Sequence, residues 1–164
     1  MRGSGADEPG TVRRRARRDT WSGSHSWAVQ LCARHDVNIK ALTMEQAKQI
    51  YFLEDWLPTG AEHLPPGYGE VLFDIKVNGG DGPTMLQHAL NVLRPKDRQL
   101  VMDGVIGLCT HQAMLDEGKA GLLEFLRQRE ERYRRLAQKR SLAKFLDGWL
   151  ARNNDLKAFA LSVV

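Results

Sequence analysis

From Leu42 onward, apolar residues recur at the spacing of helices. Leu42 precedes Thr43-Met44-Glu45-Gln46, a Ser/Thr-x-x-Glu/Gln capping box, and Ala47, Ile50, Tyr51 and Leu53 or Glu54 follow at helical spacing. The pattern predicts a helix from about Met44 to Trp56 that stops before Pro58, because a proline ring clashes with the helical turn before it. His63-Leu64-Pro65-Pro66-Gly67 reads as a rigid connector. A second helix, from Gly69 to about Asn78, turns Leu72, Phe73 and Val77 inward and ends at Asn78-Gly79-Gly80, residue types that tolerate left-handed backbone. Pro83 suits the first turn of a third helix, with Leu86, Ala89, Leu90 and Leu93 as its apolar stripe.

Asp103-Gly104-Val105-Ile106-Gly107 reads as a tight turn whose glycines permit angles closed to other residues, and Thr110 is placed to cap a short helix through Leu115. The longest helical pattern runs from Lys119 to about Arg140. It sets Leu122, Leu123, Leu126, Tyr133 and Leu136 on one side and the pairs Glu130–Arg134 and Glu131–Arg135 on the other. Leu142, Phe145, Leu146, Trp149 and Leu150 predict another core-facing helix, and Leu156, Phe159, Ala160 and Val163 a final one. No stretch alternates with period two for long enough to require a strand, so the fold class is all-α. Residues 1–36, rich in Gly, Ser and Arg, lack any such periodicity and read as loop or disordered chain.

Composition narrows the function classes. With 164 residues, 42% of them hydrophobic, the chain can hide roughly 70% of its unfolded surface without disulfide staples. Cys32 and Cys109 have no metal-ligand spacing with the five histidines, so no metal and no cofactor is expected. No apolar run approaches the roughly 20 residues that span a bilayer, which argues against membrane insertion. The basic run Arg13-Arg14-Arg15-Ala16-Arg17-Arg18 is followed by polar residues and not by the apolar region of a signal peptide, so the chain is expected to be cytoplasmic as synthesised.

Charge is distributed unevenly. Residues 1–40 carry 8 Lys/Arg against 4 Asp/Glu, residues 41–116 carry 5 against 10, and residues 117–164 carry 11 against 6. An acidic body between basic ends fits a polyanionic partner, either nucleic acid or an anionic cell-wall polymer. The arginine-rich arm, with Trp21 and Trp27 nearby, has the chemistry to neutralise phosphates and stack bases, though the rest of the chain carries no helix-turn-helix or finger signature.

Three segments carry a family resemblance when read together. Tyr51-Phe52-Leu53-Glu54-Asp55-Trp56, Leu64-Pro65-Pro66-Gly67 and Phe73-Asp74-Ile75-Lys76-Val77-Asn78-Gly79-Gly80 resemble the middle of the phage-type N-acetylmuramidases of glycoside hydrolase family 108. Leu86-Gln87-x-x-Leu90-Asn91, Asp103-Gly104-x-x-Gly107-x-x-Thr110, Tyr133-Arg134-Arg135-Leu136 and Phe145-Leu146-Asp147-Gly148-Trp149-Leu150-x-Arg152 look like that family's C-terminal peptidoglycan-binding region. The resemblance implies a lysozyme-like helical body followed by a helical wall-binding region. It divides the chain into a disordered or aberrant arm at 1–36, such as a displaced reading frame would produce, a remnant of the muramidase catalytic domain at 37–82, and a peptidoglycan-binding-like region at 83–164. The implied partner is peptidoglycan, reached by a holin-like route.

The family's catalytic glutamate lies in a Glu-Gly-Gly motif, and this sequence contains no Glu-Gly-Gly. No catalytic residue is therefore assigned. Cleavage of a glycoside needs a carboxylic acid to protonate the leaving oxygen. Glu54, Asp55, Glu62, Glu70 and Asp74 lie in the matching region and are the replacements to weigh, against the ordinary expectation that each is a solvated helix residue. The resemblance implies a substrate-binding set of Phe73, Asp74, Asn78, Asp103, Gly104, Gly107 and Thr110. Asp74 and Asn78, one turn apart, serve either a sugar groove or a polar pair at the helix end. Tyr133 and Trp149 are able to stack on a sugar ring, but both fall on apolar stripes where packing is the plainer role.

Overall fold

A computed structural model describes residues 38–164, so the predicted arm at 1–36 lies outside the described residues. The chain falls into two units, Met1–Thr43 and Met44–Val164. Of the first, the described part holds a 3-10 turn, Ile39–Ala41.

The second unit is helical, and no strand occurs among the described residues, which agrees with the all-α expectation. It opens with α1 (Met44–Tyr51), which runs into a π-helical turn at Phe52–Trp56 and a short α-helical piece at Leu57–Thr59. The predicted stop before Pro58 is corrected. The π turn, closed by the Leu57 N–H donating to the Phe52 carbonyl, widens the backbone so that Pro58 enters at the start of a new turn, where a missing N–H costs nothing. A 3-10 turn, Ala61–His63, leads past the prolines to α2 (Tyr68–Val77). Gly79, with φ 76°, takes the left-handed position there, while Asn78 keeps φ −93°.

Asp81 caps α3 (Gly82–Leu93) by accepting from the Thr84 N–H at 3.1 Å. After a 3-10 turn, Lys96–Arg98, and an extended loop comes α4 (Leu108–Ala137). Thr110 does not cap a short helix. The helix begins at Leu108 and continues through Leu115 into the long helix predicted from Lys119, with a single kink at Gly118, where φ is 49°. Glycine bears that angle without strain, and the Tyr68 hydroxyl donates to the Gly118 carbonyl at 2.7 Å, pairing a group that the kink frees. The Glu130–Arg134 pair forms at 2.7 Å, whereas Glu131 pairs with Arg127 and not with Arg135. A 3-10 turn, Ala143–Phe145, leads into α5 (Leu146–Ser162), so the two C-terminal helices expected from the pattern are one.

The core is built from one stripe per helix. Tyr68, Val71, Leu72 and Ile75 of α2, Leu86, Ala89 and Leu90 of α3, Ala113, Met114, Leu122, Phe125 and Leu126 of α4, and Ala160 of α5 form a single buried cluster. Each large aliphatic side chain so buried contributes about 1.5–3 kcal/mol relative to exposure. The stripes are narrower than their sequence patterns. Leu93, Phe145, Phe159 and Val163 are exposed, and Phe73 and Val77 are half-buried, because each helix contacts its neighbours along only part of its length.

Candidate functional site: two polar networks on one helical frame

Asp74, on the face of α2 opposite to solvent, is buried among charges. Its carboxylate accepts from Arg129 of α4 and, at 2.8 Å, from Nε of Arg152 on α5. Asn78 Nδ2 donates to the Asp74 carbonyl at 2.8 Å and to its carboxylate at 3.2 Å. Asp74 and Asn78 thus form a hydrogen-bonded polar pair at the end of α2. Arg129 also donates to Asn153 Oδ1 at 3.1 Å and lies 5.2 Å over the Tyr133 ring, which in turn stacks on Trp149 at 5.3 Å. Burial raises the Tyr133 hydroxyl above its ordinary range, and the bond to Asp74 raises the Arg152 guanidinium. Packing is thus the role the geometry gives Tyr133.

Arg129, Arg152 and Asn153 were not among the predicted site residues. Two of them carried a signal, since Arg129 sits in register with Leu122, Phe125, Leu126 and Tyr133, and Asn153 with Trp149, Leu156 and Ala160. A charged or amide residue on an apolar stripe demands a buried partner. What the pattern lacks is that partner's identity, for Asp74 is 55 residues away.

The second network organises the predicted turn. Gln87, 1% exposed, sends its Nε2 to Asp103 Oδ1 at 2.7 Å and to the Val105 carbonyl at 3.0 Å, while its Oε1 accepts from the Gly104 N–H at 2.9 Å. Thr110, buried, donates to the Val105 carbonyl at 3.3 Å. Asn91, one turn along α3 from Gln87, exchanges two bonds with Leu100 at 2.6 and 2.9 Å. Asp103, Gly104 and Thr110 therefore converge on Gln87, a residue that the family motif contained but the predicted site did not. Gly104 has φ 73° and needs glycine; Gly107 is exposed with φ −96° and an open Cβ direction, so the turn angle expected there is not required. Asp103 is exposed, and its bonds from Gln87 and the Val105 N–H hold its carboxyl below the usual range.

Phe73 belongs to neither network. It meets Trp56 edge-on at 5.7 Å and Tyr51 at 6.5 Å, forming an aromatic cluster against the π turn. Among the acids weighed as replacements, Glu62 is exposed beside His63 at 3.6 Å, and Glu54 and Glu70 are half-buried. Asp55 and Asp74 correct the expectation of solvated helix residues. Both are buried, Asp55 at 5% exposure, because the π turn rotates Asp55 inward and the two arginines require Asp74. No group of three or more His, Cys, Asp or Glu able to hold a metal occurs among the described residues. No helix among them is long and apolar enough to cross a membrane.

The model of the glycosyl hydrolase 108 family matches residues 6–80, and the model of the predicted peptidoglycan domain matches residues 81–154. Residues 6–80 thus form a glycosyl hydrolase 108 region, and residues 81–154 a predicted peptidoglycan domain. The match takes in residues 6–36, beyond the motifs that carried the resemblance from about Val37. The solved structure of Brucella abortus SagA is similar in fold, with a TM-score of 0.62 at 24% identity over 82% of this chain and 76% of that one. Comparison with curated proteins gives no match. The chain is thus a lysozyme-family protein directed at peptidoglycan. The boundary between its two family regions, at residues 80 and 81, falls inside the shared core, so α2 of the first region and α3 to α5 of the second fold around one another.

Proposed function

We propose that the chain binds cell-wall glycan and hydrolyses the bond between N-acetylmuramic acid and N-acetylglucosamine weakly or not at all. The observation that carries this reading is the absence of Glu-Gly-Gly from the whole sequence. Without that glutamate the leaving oxygen departs without its proton donor, at a cost of typically 10²–10⁴-fold in rate. The described carboxylates give limited relief. Asp74 is engaged by Arg129, Arg152 and Asn78, all donors, and so has no free edge for a glycosidic oxygen. Asp103 is held ionised by its hydrogen bonds at neutral pH.

The same geometry supports a division of labour in the predicted binding set. Asp103 and Gly107 are the exposed members and face the wall polymer, while Asp74, Asn78, Gly104 and Thr110 fix the frame and Phe73 closes the aromatic cluster. The chain is made in the cytoplasm and acts at the wall after passage by a holin-like route. A second reading, an active muramidase using a replacement acid, is favoured by Asp55 alone. It is buried on a π turn, next to Trp56. The third, nucleic-acid binding through residues 13–27, falls outside the described residues.

A reducing-end assay on purified peptidoglycan tests the first reading against the second. Little or no release of reducing ends, with the chain co-sedimenting with the insoluble polymer, is the expected result. Clear lysis overturns it, and loss of that lysis in Asp55→Asn but not in Glu54→Gln, Glu62→Gln or Glu70→Gln then assigns the acid.

A further inference from the structure

We propose that the outer edge of the Arg152 guanidinium is an anion site that takes carboxylates of the wall polymer. The inference rests on the peptidoglycan-directed reading above, and its ground is the charge balance of one cluster. A single carboxylate, Asp74, is shared by two guanidiniums, those of Arg129 and Arg152. The other polar partners in the cluster, Asn78 and Asn153, are neutral amides. Among the described residues of the cluster, one positive charge is left without a counter-charge.

The excess is accessible at one of the two arginines. The Arg129 side chain is 1% exposed, and its Nε has no hydrogen-bond partner, so no ligand reaches it from outside. The Arg152 side chain is 50% exposed. Its Nε and Nη2 both spend bonds on the same oxygen, Asp74 Oδ1, and its Nη1 makes no hydrogen bond among the described residues. Among the described residues, the groups whose charge acts on it are Asp74, Tyr133 and Tyr51, with no second carboxylate. A guanidinium held by one edge in a fixed fork presents its remaining N–H groups as a preformed bidentate clasp for a carboxylate. The internal ion pair fixes the orientation before the ligand arrives, which removes the rotamer entropy that a free surface arginine loses on binding.

Peptidoglycan offers that chemistry from two sources. In the intact polymer the free carboxylates belong to the stem peptides, because the lactyl carboxyl of the muramic acid is tied up in an amide. When an amidase removes the peptides, the lactyl carboxylates themselves become free. The test is co-sedimentation of the full chain with three preparations: intact sacculi, sacculi whose carboxylates are coupled to neutral amides by carbodiimide, and amidase-stripped glycan.

The wild-type chain should bind intact sacculi about tenfold more tightly than amidated ones, as expected for charge-assisted bonds. Arg152→Gln should bind intact sacculi only as well as the amidated form, with no further loss on amidation. Arg152→Lys, which keeps the charge and an ion pair to Asp74 but loses the fork, should fall between them and guards against a folding defect in the first variant. Retention on stripped glycan assigns the lactyl carboxylate, and loss there assigns the stem peptide; either supports the site. Wild-type binding that ignores amidation, or Arg152→Gln binding intact sacculi like wild type, overturns it while leaving the wall-binding reading in place. Failure of the wild type to bind intact sacculi overturns that reading, and the site with it.

Discussion

Gln87 and Asp74 each tie a helix to chain far away in sequence, with opposite electrostatics. Gln87 is a neutral amide with two donors and an acceptor, and the loop from 103 to 105 supplies matching groups at 2.7 to 3.0 Å. Nothing charged is buried there, and the one carboxylate involved, Asp103, stays exposed. Asp74 instead draws Arg129 into the interior and leaves Arg152 at the surface. A neutral network fixes the shape of a surface turn at little desolvation cost, whereas an ionic one concentrates charge at a chosen point. The first suits shape recognition and the second suits recognition of an anion.

The comparison breaks most visibly at Asp74. Asp74→Asn leaves Arg129 and Arg152 without their shared counter-charge, and it should destabilise the fold by about 3–5 kcal/mol, read as a large fall in the denaturant midpoint. Gln87→Leu should cost less, about 2 kcal/mol, since it removes hydrogen bonds to a turn that water can partly re-satisfy at its exposed rim. Equal losses for the two variants would erase the distinction between the networks.

Two smaller effects sharpen the picture within the turn. Gly104→Ala should destabilise by about 1–2 kcal/mol, because φ is 73° and the new methyl meets Thr84 Oγ1 at 3.2 Å, while Gly107→Ala should stay within about 0.5 kcal/mol of wild type. A thermal scan of the pair settles which glycine the turn needs. The smallest expected effect is a pH dependence. Asp103 has its carboxyl lowered in the folded state from an ordinary 3.8, so the stability it lends is fully present above that value and is lost as pH falls through the lower folded value. Asp103→Asn retains the acceptor for Gln87 and should lower the neutral-pH midpoint only slightly, by that lent stability, while flattening the stability curve below pH 3.8.

Much of the frame was legible beforehand. Helices with stripes such as Leu86, Ala89 and Leu90, or Leu122 and Leu126, follow from spacing alone, because burial of one face requires that period whatever the partner. The family was legible as well, from the ordered motifs that the two family models then matched across residues 6–154. Spacing failed where local and tertiary preferences disagree. Pro58 reads as a stop until a π turn makes room for it, and Gly118 inside a long periodic segment does not announce whether it ends a helix or bends it.

The candidate site divides along the same line. The sequence by itself determined that Asp103 and Gly104 lie in a turn, since turn chemistry acts between residues close together in the chain. It determined, too, that Arg129 and Asn153 occupy apolar stripes and that the Glu-Gly-Gly acid is absent. Only the tertiary structure decided that Gln87 holds that turn, that Asp55 and Asp74 are buried, and that one aspartate serves two arginines. A hydrogen bond or ion pair needs its partners within about 3 Å, and separations of 16, 55 and 78 residues are brought to that distance by packing alone.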